Sequence, residues 1–348
     1  MDTQTIWMSE SKTFHFTPGS RFSCNSCGKC CSSDFEIPLQ ESKVALIKKS
    51  SSYASRIERG YQPLRVLAGT FHFLDSNEAG QCHFLEQNIC ALHKNEGLSH
   101  KPVICQIYPY NLVQTPDGVQ VSLLYSCPSV VEGRGAPTEQ SRDSFLELFE
   151  AHQGRIPMLG PVENHILVTQ LSTVTWEQYL VLEGSLLHHF KEDDPVHYLL
   201  NAACCLATPE PNQARFDQTS QGLESLLSGP FLEFCSSIWT YLKGLDEQVT
   251  IGLHQPESPT TKEALNRFLR DQIQGKLLII GPSLVARLVL TACAVAILLH
   301  DLETRGPAVE MKDLQECFAL IEEKLVSQSN DLDSAFLEFE EFLLEAGD

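Results

Sequence analysis

The stretch Phe22-Ser23-Cys24-Asn25-Ser26-Cys27-Gly28-Lys29-Cys30-Cys31 sets four thiols within eight residues. Two-residue gaps let a loop fold around a metal so that successive sulfurs converge, a spacing used by zinc and iron–sulfur sites. Asn25, Ser26, Gly28 and Lys29 fill the gaps. They are small or turn-forming, and Gly28 can take a positive φ at no steric cost. Cys31 follows Cys30 directly. Adjacent side chains tend to point apart, so the vicinal pair suits two metal sites, or different irons of one cluster, better than one mononuclear ion.

Outward from this loop, Cys82, Cys90, Cys105 and Cys127 bring the thiols of the first 131 residues to eight. Ile107–Val113 and Val119–Tyr125 flank Pro116-Asp117-Gly118, a hairpin signal. An Asp117-Gly118 turn would pair Pro116 with Val119 and set Cys127 opposite Tyr108, three residues from Cys105. All eight thiols could then meet. Three close thiols and a distant fourth are the set that holds a four-iron cluster in bacterial ferredoxin-type runs, and Cys127-Pro128 echoes their ending. Eight thiols would equally make two closed tetrahedral zinc sites. His83, His93 and His100 could each replace a thiol, though surface or packing roles account for them more simply.

The other five cysteines, Cys204, Cys205, Cys235, Cys293 and Cys317, lie in apolar helical patterns, where a thiol packs as a small hydrophobe. Thirteen cysteines behind a start without a signal-peptide pattern imply a reducing, cytoplasmic setting. The apolar stretch from Leu277 to Leu299 is broken by Gly281-Pro282-Ser283 and carries Arg287. Its uninterrupted part, Leu288–Leu299, is too short to span a bilayer and reads as a buried helix, so no membrane role is expected. The net charge of −20 is uneven. Residues 1–133 hold 11 Lys+Arg and 12 Asp+Glu, and residues 134–348 hold 14 and 33. Such acidity repels phosphates and argues against nucleic acid. It fits solvated helix faces, or a surface for a basic protein partner.

These patterns divide the chain into a lead segment (1–20), a cysteine-cluster domain (21–133), a Gly/Pro-punctuated linker (134–140) and an acidic α-helical domain (141–348). The fold class is α+β: a small irregular metal-binding domain with short β-hairpins, then an all-α domain. One helix is expected at Ser42–Lys49. Thr175 with Gln178, and Thr260 with Glu263, read as capping boxes. Asp194-Pro195 opens a helix to about Leu206, and Gly275 ends the one begun at Thr260. Ser283–His300, Met311–Val326 and Leu332–Glu345 complete the set. No nucleophile elbow, P-loop or H-E-x-x-H occurs. His188-His189, beside Glu192, Asp193 and Asp194, could bind metal but suits a helix C-terminus equally well.

The run FSCNSCGKCC, followed by CHFL, CALH, KPVICQIYP and Cys127, resembles the YkgJ family, the CxxCxxCC zinc- or iron-chelating domain. The resemblance covers about residues 21–128. It implies that Cys24, Cys27, Cys30, Cys31, Cys82, Cys90, Cys105 and Cys127 are the metal ligands. Lys101, Gln106 and His93 stand where the family pattern favours Arg, Arg and Tyr. Flagellin lysine-N-methylases are distantly similar in pairing such a module with helical sequence, which brings S-adenosylmethionine in by analogy. Leu277–Pro282 makes a poor adenosyl cradle, with a single Gly followed by Pro. The expected function is therefore metal binding through eight cysteines, as an iron–sulfur cluster (4Fe-4S) or zinc. Such a site could support redox chemistry or protein-lysine methyl transfer. The alternative is a non-enzymatic, zinc-stabilised module whose helical domain binds a protein.

Overall fold

The computed structural model describes residues 13–32, 36–152, 156–190, 193–207, 229–244, 249–256, 258–306, 309–323 and 332–346. Its first part runs β1 (Phe14–Phe16), β2 (Arg21–Phe22), β3 (Pro38–Leu39), α1 (Glu41–Lys48), α2 (Ser51–Glu58), β4 (Leu64–Leu67) and β5 (Phe71–Leu74). There follow β6 (Leu85–Glu86), β7 (Ile89–Cys90), α3 (Ala91–Glu96), α4 (Val103–Ile107), β8 (Tyr110–Thr115), β9 (Gly118–Leu123) and α5 (Pro128–Glu132). Next come β10 (Ala136–Pro137), α6 (Arg142–Ala151), β11 (His165–Thr169), β12 (Ser172–Thr175) and α7 (Trp176–His188). The remainder is α8 (Pro195–Leu206), α9 (Pro230–Lys243), α10 (Pro259–Gln274), α11 (Leu284–Thr304), α12 (Met311–Ile321) and α13 (Asp333–Ala346). The fold is α+β, with short strands in small sheets and helices dominating the second half.

The hairpin β8–β9 forms, but two residues out of the expected register. Thr115 pairs with Gly118, so the turn is Pro116-Asp117. Proline presets φ for the first turn position, and the Thr115 hydroxyl donates to Asp117 Oδ1 at 2.7 Å, which holds that turn closed. A slip by two keeps every side chain on its face. Cys105 falls in α4 rather than in a strand, and pairing ends at Tyr110 with Leu123.

β9 is buried at all six residues, including Gln120 and Ser122. β1 pairs with it in parallel, so residues of the expected lead segment complete a sheet in the order β1-β9-β8. α6 covers one face, where Phe145 and Phe149 pack edge-on against Phe14 at ring centroid distances of 5.7 and 5.2 Å. α10 and the following Gly275, which lies against Ser122, cover the other.

The stretch expected as a linker, 134–140, is held in place. β10 pairs with β2, and the Thr138 amide donates to the Ser20 carbonyl at 2.9 Å. Gly135, at φ +108, lies so close to Ser23 that a Cβ would sit 2.4 Å from its backbone nitrogen. Gly135→Ala is therefore expected to cost about 2 kcal/mol or more, through strain and a lost β2–β10 pairing. Urea denaturation would measure it; a loss below about 0.5 kcal/mol would contradict the contact.

α11 is the axis of the large core. By length and composition alone it could cross a membrane, yet 94% of its apolar window is buried inside the protein. It packs against α8, α9, α12 and α13. Cys205, Cys235, Cys293 and Cys317 are buried in this core. Val113, Leu123, Tyr125, Cys127, Val130 and Val131 belong to the same cluster, so the core crosses the expected domain boundary. The β11–β12 hairpin stands in the half read as purely helical; Leu171 at its turn is 85% exposed. Val326, the expected end of one helix, lies outside the described residues, as do Glu192 and residues 1–12.

Candidate metal centre

The Cys24–Cys31 loop turns where its small residues allow. Ser26 has φ 57° and Gly28 has φ 75°, and Lys29–Cys31 form one turn of 3-10 helix closed by the Cys31 amide on the Gly28 carbonyl. The Ser26 amide donates to Cys24 Sγ at 3.4 Å, an amide-to-sulfur bond of the kind that stabilises thiolate ligands. A Cβ on Gly28 would meet Asn88 at 3.1 Å, so the loop is seated on the β6–β7 hairpin. That hairpin turns on Gln87 and Asn88, both with positive φ, and pairs Leu85 with Cys90.

Main-chain bonds then tie the remote cysteines to the loop. The Cys82 amide donates to the Cys31 carbonyl at 2.8 Å, and the Ala91 amide to the Phe84 carbonyl at 2.8 Å. Cys90 stands at the N-terminus of α3 and Cys105 within α4. Five sulfur residues, Cys30, Cys31, Cys82, Cys90 and Cys105, line a single cavity of about 50 Å³. Phe84, Leu92 and Ile104 make its wall apolar, and Lys101 and Tyr108 complete it. Cys127 is buried and does not line this cavity; the Tyr108 hydroxyl lies 3.3 Å from Oγ of its neighbour Ser126. Cys24 and Cys27 are exposed at the start of the loop.

Electrostatics link the thiols. The Cys31 thiol donates to the Cys30 sulfur, which lowers the Cys30 pKa, with help from the charge of Lys101; the same bond raises that of Cys31. Burial pushes Cys82 up to about 11, although the Phe84 amide opposes it. Burial pushes Cys127 up to about 12, against the amides of Val130 and Ser129 and with the charges of Cys27 and Cys30. Burial also raises Cys105, and Lys101 opposes that.

Among the described residues no three His, Cys, Asp or Glu side chains stand close enough, as placed, to hold one metal ion. The sulfurs surround a space rather than meet at a point. The donor chemistry nevertheless fits a thiophilic metal: sulfur ligands, an apolar wall, amide donors to sulfur and one lysine to offset thiolate charge. The Cys82 and Cys127 thiols keep their protons at pH 7, so metal loading must release one proton from each. Apparent affinity is thus expected to rise with pH, by about a hundredfold per unit for these two alone. Competition with a chromophoric chelator between pH 6 and 8 would measure this; a flat profile would contradict it.

His83, His93 and His100 line no part of the cavity. His189 ends α7, with Nδ1 2.9 Å from the Ser185 carbonyl oxygen. Three contributors escaped sequence reasoning. Arg56 on α2 is buried, pairs with Glu86 at 2.8 Å, and its charge favours the Cys82 thiolate. Glu322, buried at the end of α12, accepts the Ser126 amide beside Cys127. Gln315 Nε2 donates to Glu132 on α5 at 3.0 Å. Nothing local marks Glu322, since 196 positions separate it from Ser126.

The fold and this site define a cysteine-rich metal-binding module built against a helical body. Residues 23–128 match the CxxCxxCC family model, described as a "putative zinc- or iron-chelating domain", so the YkgJ-family resemblance holds for that segment. Uncharacterized protein MJ0939 of Methanocaldococcus jannaschii is 24% identical over 142 residues, which is 38% of this chain and 47% of that protein. The chain thus matches about half the length of this relative. No solved structure matches. None of these matches carries the likeness to flagellin lysine methylases or a role for S-adenosylmethionine.

Proposed function

We propose that the cysteine module holds an iron–sulfur cluster in preference to zinc. The observation that carries this is the cavity. About 50 Å³ between five thiols has room for several water-sized bodies, on the order of 10–15 Å³ each. A single zinc ion with four thiolates at about 2.3 Å needs no such space, whereas a cluster of irons and sulfides fills one. When bound, such a cluster supplies one-electron chemistry at a potential set by burial, net charge and hydrogen bonds to sulfur. The chain's own contribution is to ligate the cluster, exclude water through Phe84, Leu92 and Ile104, and place Lys101 and Tyr108 against it. Methyl transfer to a protein lysine rests on family likeness alone. The acidic helical half is the part that would meet a protein partner or substrate, in a reducing, cytoplasmic setting.

Zinc is the competing reading. The observation in its favour is Cys127, which is anchored in the helical core, so that a metal there would staple the module to the helices without chemistry of its own. Anaerobic purification followed by an absorption spectrum and iron, zinc and sulfide analysis separates the two. The cluster reading expects a brown protein whose broad absorption bleaches on reduction. Stoichiometric zinc without iron or sulfide would overturn it and leave the interaction module.

A further inference from the structure

We infer that the eight thiols form two separate four-sulfur metal centres: an inner one on Cys31, Cys82, Cys90 and Cys105, and an outer one on Cys24, Cys27, Cys30 and Cys127. The inference rests on the reading that these thiols hold metal, and not on whether the metal is iron or zinc.

The inner set is defined by the cavity. All four of its residues line it, whereas Cys24, Cys27 and Cys127 do not. The backbone bond from Cys82 to the Cys31 carbonyl and the pairing of Leu85 with Cys90 fix three of the four relative to one another. Cys82 and Cys90 also pack on their own small core of Ile47, Phe84 and Leu92.

Cys127 belongs elsewhere. It is buried in the large helical core and is no part of the cavity lining; Tyr108 lines the cavity and also packs on that core. β2, which ends two residues before Cys24, packs beside α5, which begins directly after Cys127. The two C-x2-C gaps gather Cys24, Cys27 and Cys30 on one loop, and Cys127 is the remote fourth. The Ser26 amide already donates to Cys24 Sγ at 3.4 Å.

Cys30 also lines the cavity. Four thiols complete the inner set without it, and a tetrahedral centre takes no fifth. The vicinal pair therefore divides, one thiol to each centre. The two centres differ in access. Cys24, Cys27 and Cys30 are exposed, while Cys31, Cys82, Cys90 and Cys105 are half-buried. The outer centre is the exchangeable one and the inner centre the retained one.

The test uses full-length protein, native mass spectrometry and elemental analysis of the wild type, Cys27→Ser and Cys90→Ser. The wild type should show two metal centres per chain, and each variant should lose one and keep the other. Loss of all metal in both variants, or a single centre in the wild type, would overturn the division. A wild type with no metal defeats the proposed function instead. Should Cys90→Ser fail to fold, Cys24→Ser and Cys27→Ser carry the same test, with half the centres retained expected. A chelator added to the wild type should remove metal in two phases, the fast one absent in Cys27→Ser; a single phase would contradict the two centres.

Discussion

Stripping the metal from the folded protein is expected to speed amide exchange about a thousandfold across Cys24–Cys31 and Cys82–Cys105, because a thiolate site is not preformed in a loose chain and its binding energy is folding energy. The loss should not stop at the module. Cys127 lies in the helical core, Glu322 holds the Ser126 amide, and Gln315 reaches Glu132. Exchange in Val130–Gly133 and in the last turn of α12 should therefore rise by about tenfold, which corresponds to about 1.4 kcal/mol. The middle of α11, Leu288–Leu299, lies buried at the axis of the large core and should keep its protection. Hydrogen exchange read by mass spectrometry on apo and metal-loaded protein gives all three regions at once. Unchanged exchange at α12 would show that the two halves are not coupled through Cys127.

Tyr125→Ala should be among the most destabilising single substitutions. Tyr125 is 1% exposed, with its ring centroid 5.2 Å from that of Phe268 and 5.3 Å from that of Phe318. Its hydroxyl donates to Asp271 Oδ2 at 3.0 Å, and Ser20 donates to Oδ1 of the same carboxylate at 2.9 Å. Burial raises the Asp271 pKa to about 6, which its hydroxyl donors oppose, so removing one leaves a buried acid short of a partner. Truncation of a buried aromatic costs about 3–5 kcal/mol, and the orphaned carboxylate adds about 1–3 kcal/mol. Tyr125→Phe keeps the ring and should cost only the second part. Because Cys127 is two residues on, Tyr125→Ala should also weaken metal retention, while Tyr125→Phe largely preserves it. Denaturant unfolding and metal content of both variants check this. Equal losses in the two would remove the packing role.

Local chemistry made much of this legible. The Thr175–Gln178 capping box is present with both of its bonds, and α7 runs from Trp176 to His188. Gly275 stands at the end of α10, though the left-handed residue there is Lys276, and Ser283 caps α11 by accepting the Ala286 amide. The Cys24–Cys31 loop turns at Ser26 and Gly28, the two small residues in its gaps. Where two local signals competed, the wrong one could be chosen. Thr260 looked like a cap, yet Ser258 caps α10 by accepting the Thr261 amide, with Pro259 at the first helical position. Pro116 moved the hairpin turn by one residue and the strand register by two. What depended on distant packing could not be read at all. α9 lacks a strong cap, β1 reaches β9 across a hundred positions, and Glu322 finds Ser126 only because α12 packs against α5. The eight thiols were identifiable by spacing. That five of them line one cavity was not, since its lining is gathered by the tertiary fold.

The module should hold its metal through sulfur alone. X-ray absorption at the edge of whichever metal the purified protein carries tests this directly. The expected first shell is sulfur only, at about 2.3 Å, with a further iron–iron distance if the metal is iron. A shell dominated by oxygen or nitrogen would contradict it.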